Sequence, residues 1–195
     1  MESQTFVFFG QVGSGKGTQA KLLMEYLKKK DGKEQVYVYP GSLFRKLIEA
    51  KNYTGRLVKN SLEQGALQPD FLTTAIFTNV LINSLTEEKH LFADGYPRNI
   101  LQSEEFEEMV KFYQRKNVKV IFIEISKEEA MRRNLQRGRS DDVKEVIENR
   151  FDEYLNNTIP AMNYLKEKEG FEFYSIYGEQ SVEDVHKEII KTLGF

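Results

Sequence analysis

Short runs of consecutive apolar or β-branched residues alternate along this chain with longer segments in which apolar positions recur every three or four residues. The runs are Thr5–Phe9, Gln35–Tyr39, Leu91–Ala93, Val118–Ile125 and Phe171–Ile176. Apolar side chains on successive positions predict strands covered on both faces, as in a parallel sheet with a helical layer on each side. Between the runs, Ala20, Leu23, Met24 and Leu27 fall at i, i+3, i+4 and i+7. Similar helical patterns cover Leu43–Ala50, Pro69–Leu85, Ser103–Arg115, Glu128–Gln136, Val143–Leu155 and Val182–Leu193, and Pro69 and Pro160 suit helix starts or breaks. The alternation predicts a three-layer α/β domain around a five-stranded, mostly parallel sheet. Two stretches interrupt it: residues about 39–68, helical without a strand, and about 137–142, short and polar. They are expected to be mobile flaps on a core of residues 1–38, 69–136 and 143–195.

Composition narrows the functions open to this fold. A length of 195 residues suits one compact domain, and 40% hydrophobic residues, with 14 Phe and 10 Tyr, can fill its core. A net charge of −2 supplies no global field to recruit nucleic acid or an anionic membrane. The positive charge is unevenly placed, however: Arg132, Arg133, Arg137, Arg139 and Arg150 fall close together, which points to a small anionic ligand. The absence of cysteine excludes disulfides and Cys-based zinc sites, and His90 and His186 alone do not suggest a metal centre. No apolar run approaches the roughly 18 residues of a membrane span. Met1 stands almost directly before a strand, so no signal or transit peptide is expected and the cytoplasm is the expected compartment.

Two clusters carry chemistry. The run Thr5–Phe9 enters Gly10-Gln11-Val12-Gly13-Ser14-Gly15-Lys16-Gly17-Thr18, followed by helical spacing. This is Gly-x-x-x-x-Gly-Lys between a strand and a helix, where glycines let successive N–H groups converge on a phosphate and the helix N-terminus adds partial positive charge. Lys16 supplies a mobile cation for the β- and γ-phosphates. The second cluster, Asp94-Gly95-Tyr96-Pro97-Arg98-Asn99-Ile100-Leu101-Gln102, follows the third strand. An acid at a strand's C-terminal end lies where ligands bind in such sheets and can hold metal-bound water. Gly95 and Pro97 form a turn that aims Arg98 into the cleft, and a planar guanidinium suits a phosphate.

Most phosphate loops place Ser or Thr directly after the lysine; here Gly17 stands there and Thr18 follows. Gly-Lys-Gly-Thr resembles the adenylate kinase family, and four further matches to the family's motifs occur along the chain. Asp94–Gln102 is similar to Asp-Gly-[Phe/Tyr]-Pro-Arg-x-x-x-Gln. Tyr39–Arg45 resembles Ser-Thr-Gly-Asp-x-[Leu/Phe]-Arg, and Gly65–Asp70 resembles Gly-x-Leu-Val-Pro-Asp. Arg133–Asp142 with Arg150 resembles a shortened arginine lid, in which Gly138 serves both halves of the family's motif.

The resemblance implies a P-loop kinase fold and transfer of the γ-phosphate of ATP to AMP, with Mg²⁺ held mainly by phosphates and water and Asp94 acting through water. ATP would be bound by Gly13, Ser14, Gly15, Lys16, Gly17, Thr18, Arg133 and Arg137, with Arg133 stacked on the adenine. AMP would meet Gly41, Arg45, the backbone of Ala66, Leu67 and Gln68, and Gly95, Arg98, Gln102, Arg139 and Arg150. Gln102 would read the base, and Arg137, Arg139 and Arg150 would clamp the transferring phosphate. Asp141 and Asp142 would tether the lid. Lys16, Arg98, Arg137, Arg139 and Arg150 are the expected catalytic groups; no zinc or nucleic-acid partner is expected, and a monomer is.

Two departures stand out. Pro40 replaces a threonine that contacts the acceptor, and Ser42 replaces an aspartate that positions magnesium, so weaker or altered Mg²⁺ dependence is expected. A UMP/CMP kinase of the same fold and a nucleotide-binding regulator without turnover are the alternative readings. Arg132, which no motif claims, is expected on a solvated helix face paired with glutamate.

Overall fold

The structure, a computed structural model, describes residues 2–138 and 142–195. Five strands, β1 (Thr5–Phe9), β2 (Gln35–Val38), β3 (His90–Asp94), β4 (Val118–Glu124) and β5 (Phe171–Tyr177), form one sheet in the order β2-β3-β1-β4-β5. Every pairing is parallel, as Phe6 opposite Phe92 and Lys119 illustrates. Each parallel connection crosses over through helix, and the helices cover both faces. β1 shows why the strands read as continuous apolar runs. Phe6 and Phe8 face one layer, Val7 and Phe9 the other, and all four are at most 2% exposed.

The first face packs β1 and its neighbours against α1 (Lys16–Asp31) and α9 (Val182–Thr192), through Ala20, Leu23, Leu27, Val185 and Ile189. Phe6 stacks on Phe92 with centroids 4.8 Å apart. The second face carries α4 (Asp70–Ser84), α5 (Ile100–Phe112) and α8 (Ile159–Lys166), which contribute Phe77, Leu81, Phe106, Val110, Ala161 and Leu165. There Phe77 stacks on Tyr96 at 4.2 Å. Burial of one such large apolar side chain stabilises by about 1.5–3 kcal/mol, so the two layers are where the fold's stability resides.

The segment between β2 and α4 holds α2 (Pro40–Glu49) and α3 (Tyr53–Glu63), the second capped by the Asn52 side chain accepting from the Gly55 amide at 2.7 Å. Their approach is close: a Cβ at Gly55 would run into the Leu47 carbonyl. α6 (Lys127–Arg137) follows β4, is capped by Ser126, and ends at Gly138, whose φ of 65° is the left-handed conformation that stops a helix. α7 (Lys144–Glu153) passes through a single π turn, Tyr154–Thr158, into α8.

Several boundaries differ from the apolar pattern. α2 begins at Pro40, before Leu43, because proline at the first helical position lacks only an N–H that would be unpaired there anyway. α6 carries Arg137 within the helix, outside the flap expected at 137–142. α8 lacks a long enough apolar repeat to stand out, and Pro160 sits within its first turn. No helix among the described residues is long and apolar enough to cross a membrane.

The topology places the site. The connection after β1 runs along one face towards β2, whereas the connection after β3 runs along the other towards β4. The loops after these adjacent strands diverge, opening a crevice at the C-terminal edge of the sheet.

Candidate active site

Past Phe9 the chain enters a loop with left-handed glycines: Gly10 at φ 142°, Gly13 at 92° and Gly15 at 90°. Crowding demands glycine as strongly as the angles do. A Cβ at Gly10 would lie 2.5 Å from the Ile123 carbonyl oxygen, and one at Gly13 would lie 2.7 Å from the Asn134 amide nitrogen. Three side chains tie the loop down. Gln11 donates to the Ile125 carbonyl at 2.6 Å, and Asn134, fully buried on α6, donates to Val12 at 2.8 Å and to Ala130 at 2.7 Å. Lys16 folds back to donate to the Gly10 and Gln11 carbonyls at 2.6 and 3.0 Å. Gly15 caps α1 without a side-chain partner, so the first N–H groups of that helix are available to an anion.

Burial lowers the Lys16 ammonium to about 8, with Arg98 and Arg137 pushing the same way and Asp94 opposing them. Asp94, at the end of β3, is 4% exposed and accepts from the Tyr37 hydroxyl at 2.7 Å. Burial and the Asp94 charge both push the Tyr37 hydroxyl upward, so it stays a proton donor to the carboxylate. Gly17 explains itself here. A Cβ at that position would sit 3.1 Å from the Asp94 carboxylate, so the side chain that usually follows the lysine would crowd it.

On the opposite wall, Gly95 at φ 68° turns the chain and its carbonyl accepts from Arg98 Nε at 2.9 Å. Gln102 Oε1 accepts from the Arg98 backbone N–H at 2.9 Å, and Gln102 Nε2 donates to Asp70 at 2.7 Å. Asn99 caps α5 and also donates to Asp70, at 2.6 Å. One carboxylate at the start of α4 thus sets the rotamers of two side chains on α5. Arg45, on α2, donates to the Gly41 carbonyl at 2.9 Å. Tyr39 lies beside it. Burial opposes ionisation of that phenol, but the hydrogen bond from Arg45 and the charges of Arg98 and Arg45 together lower its pKa below that of an ordinary tyrosine.

Two of the expected lid arginines, Arg137 and Arg150, meet on one acid. Arg137 reaches Asp142 through Nε at 2.8 Å and Nη2 at 2.6 Å, and Arg150 Nη1 approaches the same carboxylate at 3.3 Å. The Asp142 side chain is fully buried beneath them. Arg133 donates to Glu129 at 2.6 Å and to the Gly178 carbonyl at 2.9 Å. Arg132 pairs with Glu129 and Gln136 on the exposed face of α6, as expected of a residue without a site role.

The residues singled out from sequence line a single cleft of about 960 Å³, from Gly13 to Thr18 on one side to Gly41, Arg45, Ala66, Leu67 and Gln68 on the other. Asp94, Gly95, Arg98 and Gln102 also line it, as do Arg133, Arg137 and Arg150. Arg139 and Asp141 lie outside the described residues. Pro40 and Ser42 also face the cleft, and the Ser42 hydroxyl donates to the Tyr39 carbonyl at 2.8 Å. Sequence reasoning passed over three supporting side chains: Tyr37, Asn134 and Asp70. Tyr37 lay within a strand pattern, and Asn134 and Asp70 stood inside quoted motifs without a role of their own, so nothing local marked their partners.

A wholly parallel sheet with a glycine-rich loop feeding α1 defines a phosphate-loop α/β protein. Within that class the adenylate kinase family model matches residues 8–170. The chain is 32% identical over 191 residues to an adenylate kinase of Azobacteroides pseudotrichonymphae, a match covering 95% of this chain and 94% of that protein. It is 31% identical over 188 residues to an adenylate kinase of Prochlorococcus marinus, covering 96% of each. A third relative, an adenylate kinase of Oenococcus oeni, is 31% identical over 92% of this chain and 93% of its own length. The chain belongs to the adenylate kinase family.

Proposed function

We propose that this protein transfers the γ-phosphate of ATP to AMP, reversibly, giving two molecules of ADP. The observation that carries this reading is that one cleft joins a braced phosphate loop to a separate set of arginines on α2 and after β3. A hydrolase of ATP needs only the loop; a second anion-binding wall facing it suits a second nucleotide. The relatives that match over nearly the whole chain bear the name adenylate kinase.

In this reading the loop amides and Lys16 hold the phosphates of ATP, and Arg45 and Arg98 hold the phosphate of AMP. α2 and α3 form the acceptor flap, residues about 137–142 a short lid, and Arg133 the edge of the donor adenine site. Arg137 and Arg150 exchange the Asp142 carboxylate for the transferring phosphoryl group, and Arg139 joins them. Direct in-line transfer asks for positioning and charge neutralisation, which these groups supply without a phosphorylated side chain.

Mg²⁺ fits the donor set. Among the described residues Asp94 is the sole carboxylate lining the cleft, and no group of three or more His, Cys, Asp or Glu gathers into a metal cage. Mg²⁺ usually keeps several waters and binds through phosphates and one or two acids. Asp94 would hold it through water, and the ion when bound would spread the charge of the ATP phosphates. A monomer working in the cytoplasm completes the proposal.

The test is ADP production from ATP and Mg²⁺ with AMP, CMP, UMP and GMP offered in turn. Turnover with AMP well above the others is expected. A preference for CMP or UMP would overturn the acceptor assignment, and no turnover with any acceptor would overturn the kinase.

A further inference from the structure

Gln68 lies in the turn between α3 and α4 and lines the cleft beside Leu67, Thr73 and Gln102. It is 7% exposed, yet neither its amide oxygen nor its amide nitrogen has a hydrogen-bond partner among the described residues. A buried primary amide unpaired at both ends opposes folding, so its presence calls for a compensating partner. Gln102 differs sharply, since Arg98 and Asp70 already engage the two ends of its amide. Of the two amides on the acceptor wall, one is pinned within the protein and the other has its donors and acceptor to offer.

The backbone presents that amide firmly. Pro69 follows Gln68 and disfavours the helical region for it, so α4 starts only after Gln68 has taken its place. A primary amide donates and accepts side by side. It matches a planar edge that carries an acceptor next to a donor, as N1 and the 6-amino group of adenine do. We propose that the side chain of Gln68, beyond any backbone contact, binds this edge of the acceptor nucleobase and sets acceptor affinity. The inference rests on the phosphotransfer reading above.

The experiment compares the native protein with Gln68→Leu, which keeps the bulk, and with Gln68→Val, the residue in the related motif. Steady-state kinetics are measured with AMP and with purine riboside 5′-monophosphate, which lacks the 6-amino group, alongside thermal unfolding without nucleotide. The KM for AMP is expected to rise about tenfold, equivalent to about 1.4 kcal/mol. KM for ATP and kcat should stay within about twofold, and the preference for AMP over the 6-amino-free analogue should narrow. Because an unpaired buried amide gives way to an apolar group, the Tm should hold or rise.

An unchanged KM for AMP with an unchanged preference would overturn the proposal. So would a fall in Tm with both KM values rising together, the signature of a residue that holds the fold. Should the native protein show no AMP-dependent turnover, the kinase reading fails by itself. Calorimetric titration of AMP into the native and Gln68→Leu proteins then decides this proposal. Tenfold weaker binding by the variant supports it; equal binding, or none to either, overturns it.

Discussion

The two walls of the cleft are held by different means. The phosphate loop is fastened from three directions: by Gln11 to the end of β4, by Asn134 from α6 and by Lys16 from its own helix. The acceptor wall draws instead on α2 and α3, two helices outside the sheet layers, and leaves Gln68 without a partner among the described residues. In the proposed reading the contrast follows from what each wall would bind. Phosphates present the same oxygens in every donor, and a cradle for them works best when its dipoles are fixed before the ligand arrives. A nucleobase is selected by pairing, and in the proposal above Gln68 is left unsatisfied until it comes.

The sharpest way to break this contrast is to strip the donor wall of its cation. Lys16→Met should lower kcat by about 10²–10³-fold, the usual effect of removing one preorganised transition-state contact, while AMP binding measured by calorimetry stays near native. Equal losses for both nucleotides would mean the walls are not independent.

Asn134 tests the brace. Asn134→Leu leaves the Val12 and Ala130 carbonyls without the amide that serves them, which should cost about 1–3 kcal/mol of stability. For a chain of this size that is a fall in Tm of several degrees, at about 2–4 °C per kcal/mol, with a raised KM for ATP and a KM for AMP within about twofold. A variant with native Tm and native ATP kinetics would remove the brace from the account.

The smallest effect concerns protons. Burial brings Lys16 to about 8, so in the free protein its charge is lost from pH 8 upward, well before an ordinary lysine loses it. Bound phosphates favour the charged form and raise it again. ATP binding at pH 8 should therefore take up about half a proton, fall towards none at pH 6, and weaken as pH rises through 8. Calorimetry in buffers of different ionisation enthalpy reads this directly. Identical heats in all buffers at pH 8 would contradict it.

How much of this was legible in the chain depends on how local each interaction is. β1, β3 and β4 announced themselves because strands buried on both faces are apolar at most successive positions, and β2 and β5, only partly buried at the sheet's edges, still carried enough apolar and aromatic residues to be read. The loop glycines did so because Gly10, Gly13, Gly15 and Lys16 are neighbours in sequence. α8 was hidden, being short and entered through a π turn, and α2 began three residues before its first apolar position because Pro40 serves as a helix start. Gly17 could be recognised as a departure, but its reason could not, since Asp94 reaches it from another strand. The same holds for Asn134 beneath Val12, whereas Asp142 was legible as an acceptor tethering the lid, though not that Arg137 and Arg150 would share it. Gln68 was legible only as a backbone contact, because an unpaired amide is a property of its surroundings.

In the proposed reaction both nucleotides occupy one cleft at once and exchange a phosphate directly. Initial rates of ADP formation, with ATP and AMP varied together at fixed Mg²⁺, test it most simply. AMP-dependent ADP formation and double-reciprocal lines that intersect are expected, as a ternary complex requires. Parallel lines, which signal a phosphorylated enzyme and two separate half-reactions, or ADP formation indifferent to AMP, would contradict it.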